Sequence, residues 1–172
     1  MDNIHTIRIP ESRIIEGAKE GMDTFIRTFT TAYWQAVGGE LTAETMERLT
    51  AEQLTLLGYV MLHDEVMDGG FVQLIHNGYG PFFFENPFAK SLKLWGLRDL
   101  SKLIYEVYPL YKKKCEVLTK ECSEDEFMEL FEQHPEFDDY DDEFVENEEE
   151  YTELVARYVD EHIEQFAEIV KE

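Results

Sequence analysis

Apolar positions recur along most of this chain with the three- and four-residue spacing of α-helices. From Glu11 to Val37 they are Ile14, Ile15, Ala18, Met22, Phe25, Ile26, Phe29, Ala32 and Tyr33, which predicts helix. Gly21 bends or divides that segment, and Gly38-Gly39 ends it. Residues 1–10 read as an extended arm closed by Pro10. A short helix is expected from Thr42 to Leu49. Thr50 stands three residues before Gln53, the spacing of a capping box, and opens a helix to about Met67. Leu54, Leu56, Leu57, Tyr59, Val60, Met61, Leu62 and Val66 cover nearly its whole circumference, the pattern of a buried central helix. Gly69-Gly70 stops it, and Phe71 to His76 reads as a second short helix closed by Asn77-Gly78.

Tyr79 to Pro87 reads as a loop crowded with aromatics, and the Phe82-Phe83-Phe84, Phe88, Trp95 set as core or a subunit interface. Helical spacing returns from Phe88 to Trp95, breaks at Gly96 and resumes from Leu97 to about Thr119. Pro109 is expected to kink or split that last stretch. Lys112, Lys113 and Lys114 suit a helix C-terminal region. Ser123 with Glu126 caps a helix to about Gln133, Pro135 begins an acidic linker, and a final helix runs from about Glu148 to Lys171. No run alternates strongly enough to predict a strand. The expected fold class is all-α, with roughly seven to nine helices. The chain reads as a single domain over 1–172: a helical body over 11–134, with the acidic linker and final helix of 135–172 packed on it.

The charge changes this picture. The chain of 172 residues carries a formal −23. Residues 1–114 hold 15 acids and 12 bases, whereas residues 115–172 hold 23 acids and 3 bases. Such a balance argues against direct binding of nucleic acid or an anionic membrane, and favours a basic partner or no charged partner at all. No apolar run approaches the roughly 20 residues of a membrane span, and the N-terminal segment lacks the basic-then-apolar pattern of a leader. Cys115 and Cys122 read as reduced thiols, which places the chain in the cytoplasm. No cofactor is expected.

Two segments could carry function. Residues 136–150 contain 10 acids and neither Lys nor Arg, yet Phe137, Tyr140, Phe144 and Val145 fall among them at near-helical spacing. A solvating tail lacks such anchors. In the final helix Tyr151, Val155, Tyr158, His162, Phe166 and Ile169 form one stripe, and Glu149, Glu153, Asp160, Glu164 and Glu168 lie opposite. With Asp138, Asp139, Asp141, Asp142, Glu143 and Glu146 they predict an acidic, solvent-facing surface held in place by the aromatics. Carboxylates one helical turn apart approach the spacing of phosphates on a nucleic-acid strand. Plain solubility is the simpler explanation of the same residues.

The second segment is residues 65–80, E-V-M-D-G-G-F-V-Q-L-I-H-N-G-Y-G. Its paired glycines predict a tight corner, with Gln73 bonding to backbone near it. Glu65, Asp68, Gln73, His76 and Asn77 could instead form a ligand or catalytic pocket. His63, Asp64, Glu65, Asp68 and His76 are metal-ligand types, but neither HExxH nor paired ExxH is present, so His63 reads as a core histidine and no metal is expected. Neither cysteine has a neighbouring CxxC or a basic pocket visible in the sequence, so thiol catalysis is not indicated.

The same string resembles the hallmark of an all-helical bacterial family of DNA-mimic proteins, approximately E-x-x-N-G-G-F-x-Q-x-x-x-N-x-x-G. Glu65, Gly69, Gly70, Phe71, Gln73, Asn77 and Gly80 match in place, and Asp68 departs from the usual Asn. The resemblance covers about residues 25–120, with or without the final helix. It implies a small helical homodimer, without enzymatic activity, whose acidic surface occupies the basic face of a helix-turn-helix transcription factor. A pocket protein around 65–80, and an interaction or structural module with acidity for solubility alone, stand as the alternatives.

Overall fold

The structure is a computed structural model that describes residues 6–171. Among them are ten α-helices and one pair of three-residue strands. In chain order they are β1 (Arg8–Pro10), α1 (Glu11–Glu20), α2 (Met22–Ala36), α3 (Ala43–Met46), α4 (Ala51–His76), α5 (Gly80–Phe84), α6 (Phe88–Leu94), α7 (Arg98–Leu118), α8 (Glu124–Gln133), α9 (Asp138–Glu161), α10 (Ile163–Phe166) and β2 (Glu168–Val170). The all-α expectation is met. The described residues form two compact units, one of 6–60 with 152–171 and one of 61–151. The chain leaves the first within α4 and returns to it within α9.

In the first unit, β1 and β2 pair in parallel, Ile9 opposite Ile169. This is the element that the periodicity did not predict, because three-residue strands are too short to alternate visibly. Of the expected N-terminal arm, residues 1–5 lie outside the described residues. Gly21, at φ 136°, divides α1 from α2. A Cβ on Gly17 would overlap the Thr28 hydroxyl, so glycine lets these helices approach closely. α2 buries Phe25, Ile26, Phe29 and Tyr33. The Tyr33 hydroxyl donates to the Phe166 carbonyl at 2.7 Å, and Gln53 Nε2 donates to the same oxygen at 3.1 Å. These bonds correct the expected final helix. It stops at Glu161 rather than Lys171, because the Phe166 carbonyl and the 168–170 backbone are claimed by tertiary partners.

The Thr50 capping box forms as expected: Gln53 N–H donates to Thr50 Oγ1 at 3.2 Å, and Thr50 N–H to Gln53 Oε1 at 2.9 Å. From Thr55 to Leu62 every residue of α4 is buried, as an all-round apolar helix requires. α4 then breaks at Gly69 (φ −145°, ψ 19°) and Gly70 (φ 70°, ψ −175°) before its last turns, Phe71 to His76.

In the second unit, the expected aromatic loop at 79–87 contains a short helix, α5, with Pro81 in its first turn, a position that leaves no donor stranded. Phe83, Phe88 and Trp95 are buried, while Phe82 and Phe84 are half-buried. Pro109 neither ends nor splits α7. The carbonyl that its missing N–H leaves free belongs to Tyr105, which is 56% exposed, so the gap in the hydrogen-bond ladder falls on the solvent-facing side of the helix. The largest correction is at 135–147. A single 3₁₀ turn, Pro135–Phe137, leads straight into α9 with no linker. Phe137 at the end of the turn, and Phe144, Tyr151 and Val155 on one side of that helix, are all at most 3% exposed. Their burial outweighs the repulsion among the acids, and Asp138 and Asp139 sit where the helix dipole favours anions.

Candidate functional site: an acidic helix and a glycine corner

The 24 residues of α9 include 12 acids and one base, Arg157. Asp138, Asp139, Asp142, Glu146, Glu149, Glu150, Glu153, Asp160 and Glu161 are exposed. Glu164 and Glu168 are exposed too, but lie beyond the helix, and Glu168 pairs with Arg8 at 3.6 Å. Glu153 shares its charge with Arg157 at 2.9 Å. Opposite this exposed row, Phe144 and Tyr151 pack with ring centroids 5.5 Å apart. Tyr140 and Tyr158 are half-buried, and Val145 points to solvent at 46% exposure rather than acting as an anchor. Of the predicted stripe, Ile169 is also exposed, since it belongs to β2 rather than to a helix.

Three acids of α9 do not face solvent freely. Glu143 is half-buried. Glu148, also half-buried, binds His63 Nε2 at 2.9 Å, while His63 Nδ1 meets Asp64 at 3.1 Å. His63 is therefore a polar bridge rather than a core histidine. Asp141 corrects the expectation of a solvent-facing carboxylate. It turns inward and accepts the Phe71 backbone N–H at 2.8 Å. The break at Gly69-Gly70 starts a new helical segment whose first N–H groups lack acceptors, and glycine offers no capping side chain. Asp141 supplies the cap from α9. Burial pushes its carboxyl up to about 6; the Phe71 N–H opposes that rise, and the charges of Asp138 and Asp142 add to it. A Cβ on Gly70 would overlap the Asp141 carboxylate, so this position requires glycine for space as well as for its positive φ.

The rest of the corner is closed by its own side chains. Gln73 Nε2 donates to Glu65 Oε2 and to Asp68 Oδ2, both at 3.0 Å, rather than to backbone as expected. Asn77 Nδ2 donates to the same Glu65 oxygen at 2.9 Å. His76 Nδ1 lies 2.7 Å from the Leu118 carbonyl, so that nitrogen carries the proton. A Cβ on Gly69 would overlap the Gln73 side chain, and one on Gly80 the Tyr111 ring. Gln73, His76 and Asn77 do border a cavity of about 390 Å³ with Cys122, Ser123 and Phe127. Their Nε2, Nδ2 and Nδ1 atoms are nevertheless engaged by Glu65, Asp68 and the Leu118 carbonyl, which is the arrangement of a fastened corner. Both cysteines are free thiols. No helix among the described residues is long and apolar enough to cross a membrane, and none of their His, Cys, Asp and Glu side chains gather in threes as a metal would need.

The corner and the acidic helix both fall inside a family match: residues 47–162 fit the profile described as DMP19-like protein. The chain belongs to the DMP19-like family. It is also 33% identical over 127 residues to a protein of Neisseria meningitidis serogroup B named DNA mimic protein DMP19. That alignment covers 73% of this chain and 77% of the relative. The DMP19-like match begins later than the motif-based resemblance and runs further, taking in α4 to α9 complete. Sequence reasoning found the corner and the acids but missed Asp141 as a cap. The available signal was a helix restart at Phe71 with no Ser, Thr, Asp or Asn immediately before it, which obliges the acceptor to come from elsewhere.

Proposed function

We propose that this chain is a non-enzymatic DNA mimic, whose acidic helix α9 occupies the basic DNA-contacting surface of a DNA-binding protein. The observation that carries this reading is the density and fixation of charge on α9. The part of α9 within the second unit, 138–151, is about 21 Å long. Its six exposed carboxylates, from Asp138 to Glu150, give one per about 3.5 Å, against one phosphate per ~3.4 Å of a DNA strand. They are held by a buried aromatic and aliphatic stripe, so little ordering entropy is lost when a rigid basic surface docks. The relative's name, DNA mimic protein, points the same way. Within this reading the partner is a protein of helix-turn-helix type, the chain works as a homodimer in the cytoplasm, and neither nucleic acid nor membrane is contacted directly.

The experiment is capture from the native cell extract on immobilised chain, with the bound proteins identified. DNA-binding proteins should be retained and then released by duplex DNA. Asp142→Lys, Glu146→Lys and Glu149→Lys together should abolish retention while the helical circular-dichroism signal is kept. Unchanged retention by that triple variant would sink the reading.

A further inference from the structure

Within the second unit, the turn after α5 and one flank of α7 enclose a cavity of about 370 Å³ that plays no part in the acidic helix. Its floor is apolar and buried, from Phe83 and Ile104. Its accessible side chains are Phe84, Glu85, Asn86, Tyr105 and Tyr108. We propose that this cavity is a binding site for a guanidinium group, taken by an arginine side chain of the basic protein partner.

Three observations carry the assignment. First, the lining is rich in aromatic rings, backed by the buried Tyr111. Phe84 lies parallel to Tyr111 at 4.7 Å and 22°, and to Tyr108 at 6.4 Å and 21°, while Tyr105 stands 56% exposed beside them. Flat, aligned aromatic faces attract cations, and guanidinium stacks on them better than ammonium does. Second, this aromatic set already holds a cation: Lys112 Nζ lies 5.6 Å from the Tyr108 centroid. Third, a carboxylate stands at the rim. Glu85 receives the Tyr111 hydroxyl at 3.4 Å, and among the described residues no Lys or Arg pairs with it. A guanidinium lying on the rings can donate two parallel hydrogen bonds to such a carboxylate. The volume lies in the range of small-ligand pockets, which begins at about 300 Å³. The occupant rests on the reading that the partner is basic; the cation site itself does not.

The test is a titration of the full chain with Nα-acetyl-arginine amide in about 150 mM salt, where long-range attraction is screened, followed through tyrosine ring resonances. Saturable shifts are expected at Tyr105 and Tyr108. Affinity should fall about fivefold in Tyr105→Ala, the worth of one exposed cation–π contact, and by a similar factor in Glu85→Gln, the worth of one exposed ion pair. The neutral citrulline analogue should not saturate, and the lysine analogue should bind more weakly. Equal binding of arginine and citrulline analogues, an unaffected Glu85→Gln, or lysine binding as tightly as arginine would overturn the assignment. The triple Lys variant of α9 should retain the site; loss of binding there would show that bulk acidity, not the cavity, holds the probe. A saturable cavity in a chain that captures no basic protein would leave the site standing and remove only its proposed occupant.

Discussion

At the residue scale the corner depends on Gly70 and Asp141 together. Gly70→Ala forces a side chain into a positive φ and into the Asp141 carboxylate. We expect a loss of about 1–3 kcal/mol, read by urea unfolding. Asp141→Ala should lose a similar ~1–3 kcal/mol, because the Phe71 N–H is left without its acceptor. The carboxyl's own titration acts in the opposite direction. Its folded value of about 6 lies above the ordinary 3.8. The folded protein therefore binds the proton more tightly than the unfolded chain does. Stability from this group is gained as pH falls from above 6 towards 4 and lost as pH rises through that window, by an amount on the order of 1–3 kcal/mol. Asp141→Asn, which keeps an acceptor without the charge, should flatten this part of a stability–pH curve. An unaltered slope between pH 4 and 6 would place the raised carboxyl elsewhere. Tyr151 offers a second test. Its hydroxyl is buried without a hydrogen-bond partner among the described residues, and burial, helped by Glu143, Asp99 and Glu150, pushes its pKa up to about 12. Tyr151→Phe should leave thermal stability unchanged or slightly raised.

At the scale of elements, much was legible in the sequence. The Thr50 box, the helix buried on all sides, the Gly21 division and the Gly69-Gly70 break follow from local chemistry, so they could be read from neighbours in the chain. The failures share one cause. The 138–147 segment reads as a linker because its charges repel, yet Phe137 and Phe144, both fully buried, make it the first half of α9. Lys171 reads as the end of a helix, yet Tyr33 and Gln53 reach across more than 110 positions to hold the Phe166 carbonyl. Pro109 reads as a break, yet the carbonyl it frees belongs to an exposed residue of α7. In each case the deciding feature was a partner distant in sequence or the exposure of the position, and neither shows in the neighbouring residues. The candidate site follows the same division. Its acids were visible one by one, but the inward turn of Asp141 depends on a backbone N–H 70 positions away. The anchoring stripe yields the prediction at this scale. Phe144→Ala should destabilise the protein by about 3–5 kcal/mol and loosen α9, seen as faster amide exchange from 138 to 150. Protection equal to the parent would mean that the acids are fixed by something other than this stripe.

At the scale of the whole molecule, a net −23 sets two salt dependences of opposite sign. Self-repulsion is screened by salt, so the melting temperature should rise with ionic strength. Binding to a basic surface is screened by the same ions, so partner affinity should fall steeply over the same range. Acidity that served solubility alone would produce only the first. The most direct measurement is a competition in which a DNA-binding protein captured by the chain is offered its labelled duplex, with the chain titrated in at several salt concentrations. The chain should displace the duplex fully and at a single site, with an affinity that weakens as salt rises, and the Asp142, Glu146 and Glu149 reversals should remove the displacement. A ternary complex of chain, partner and duplex would contradict DNA mimicry, as would displacement indifferent to those three reversals.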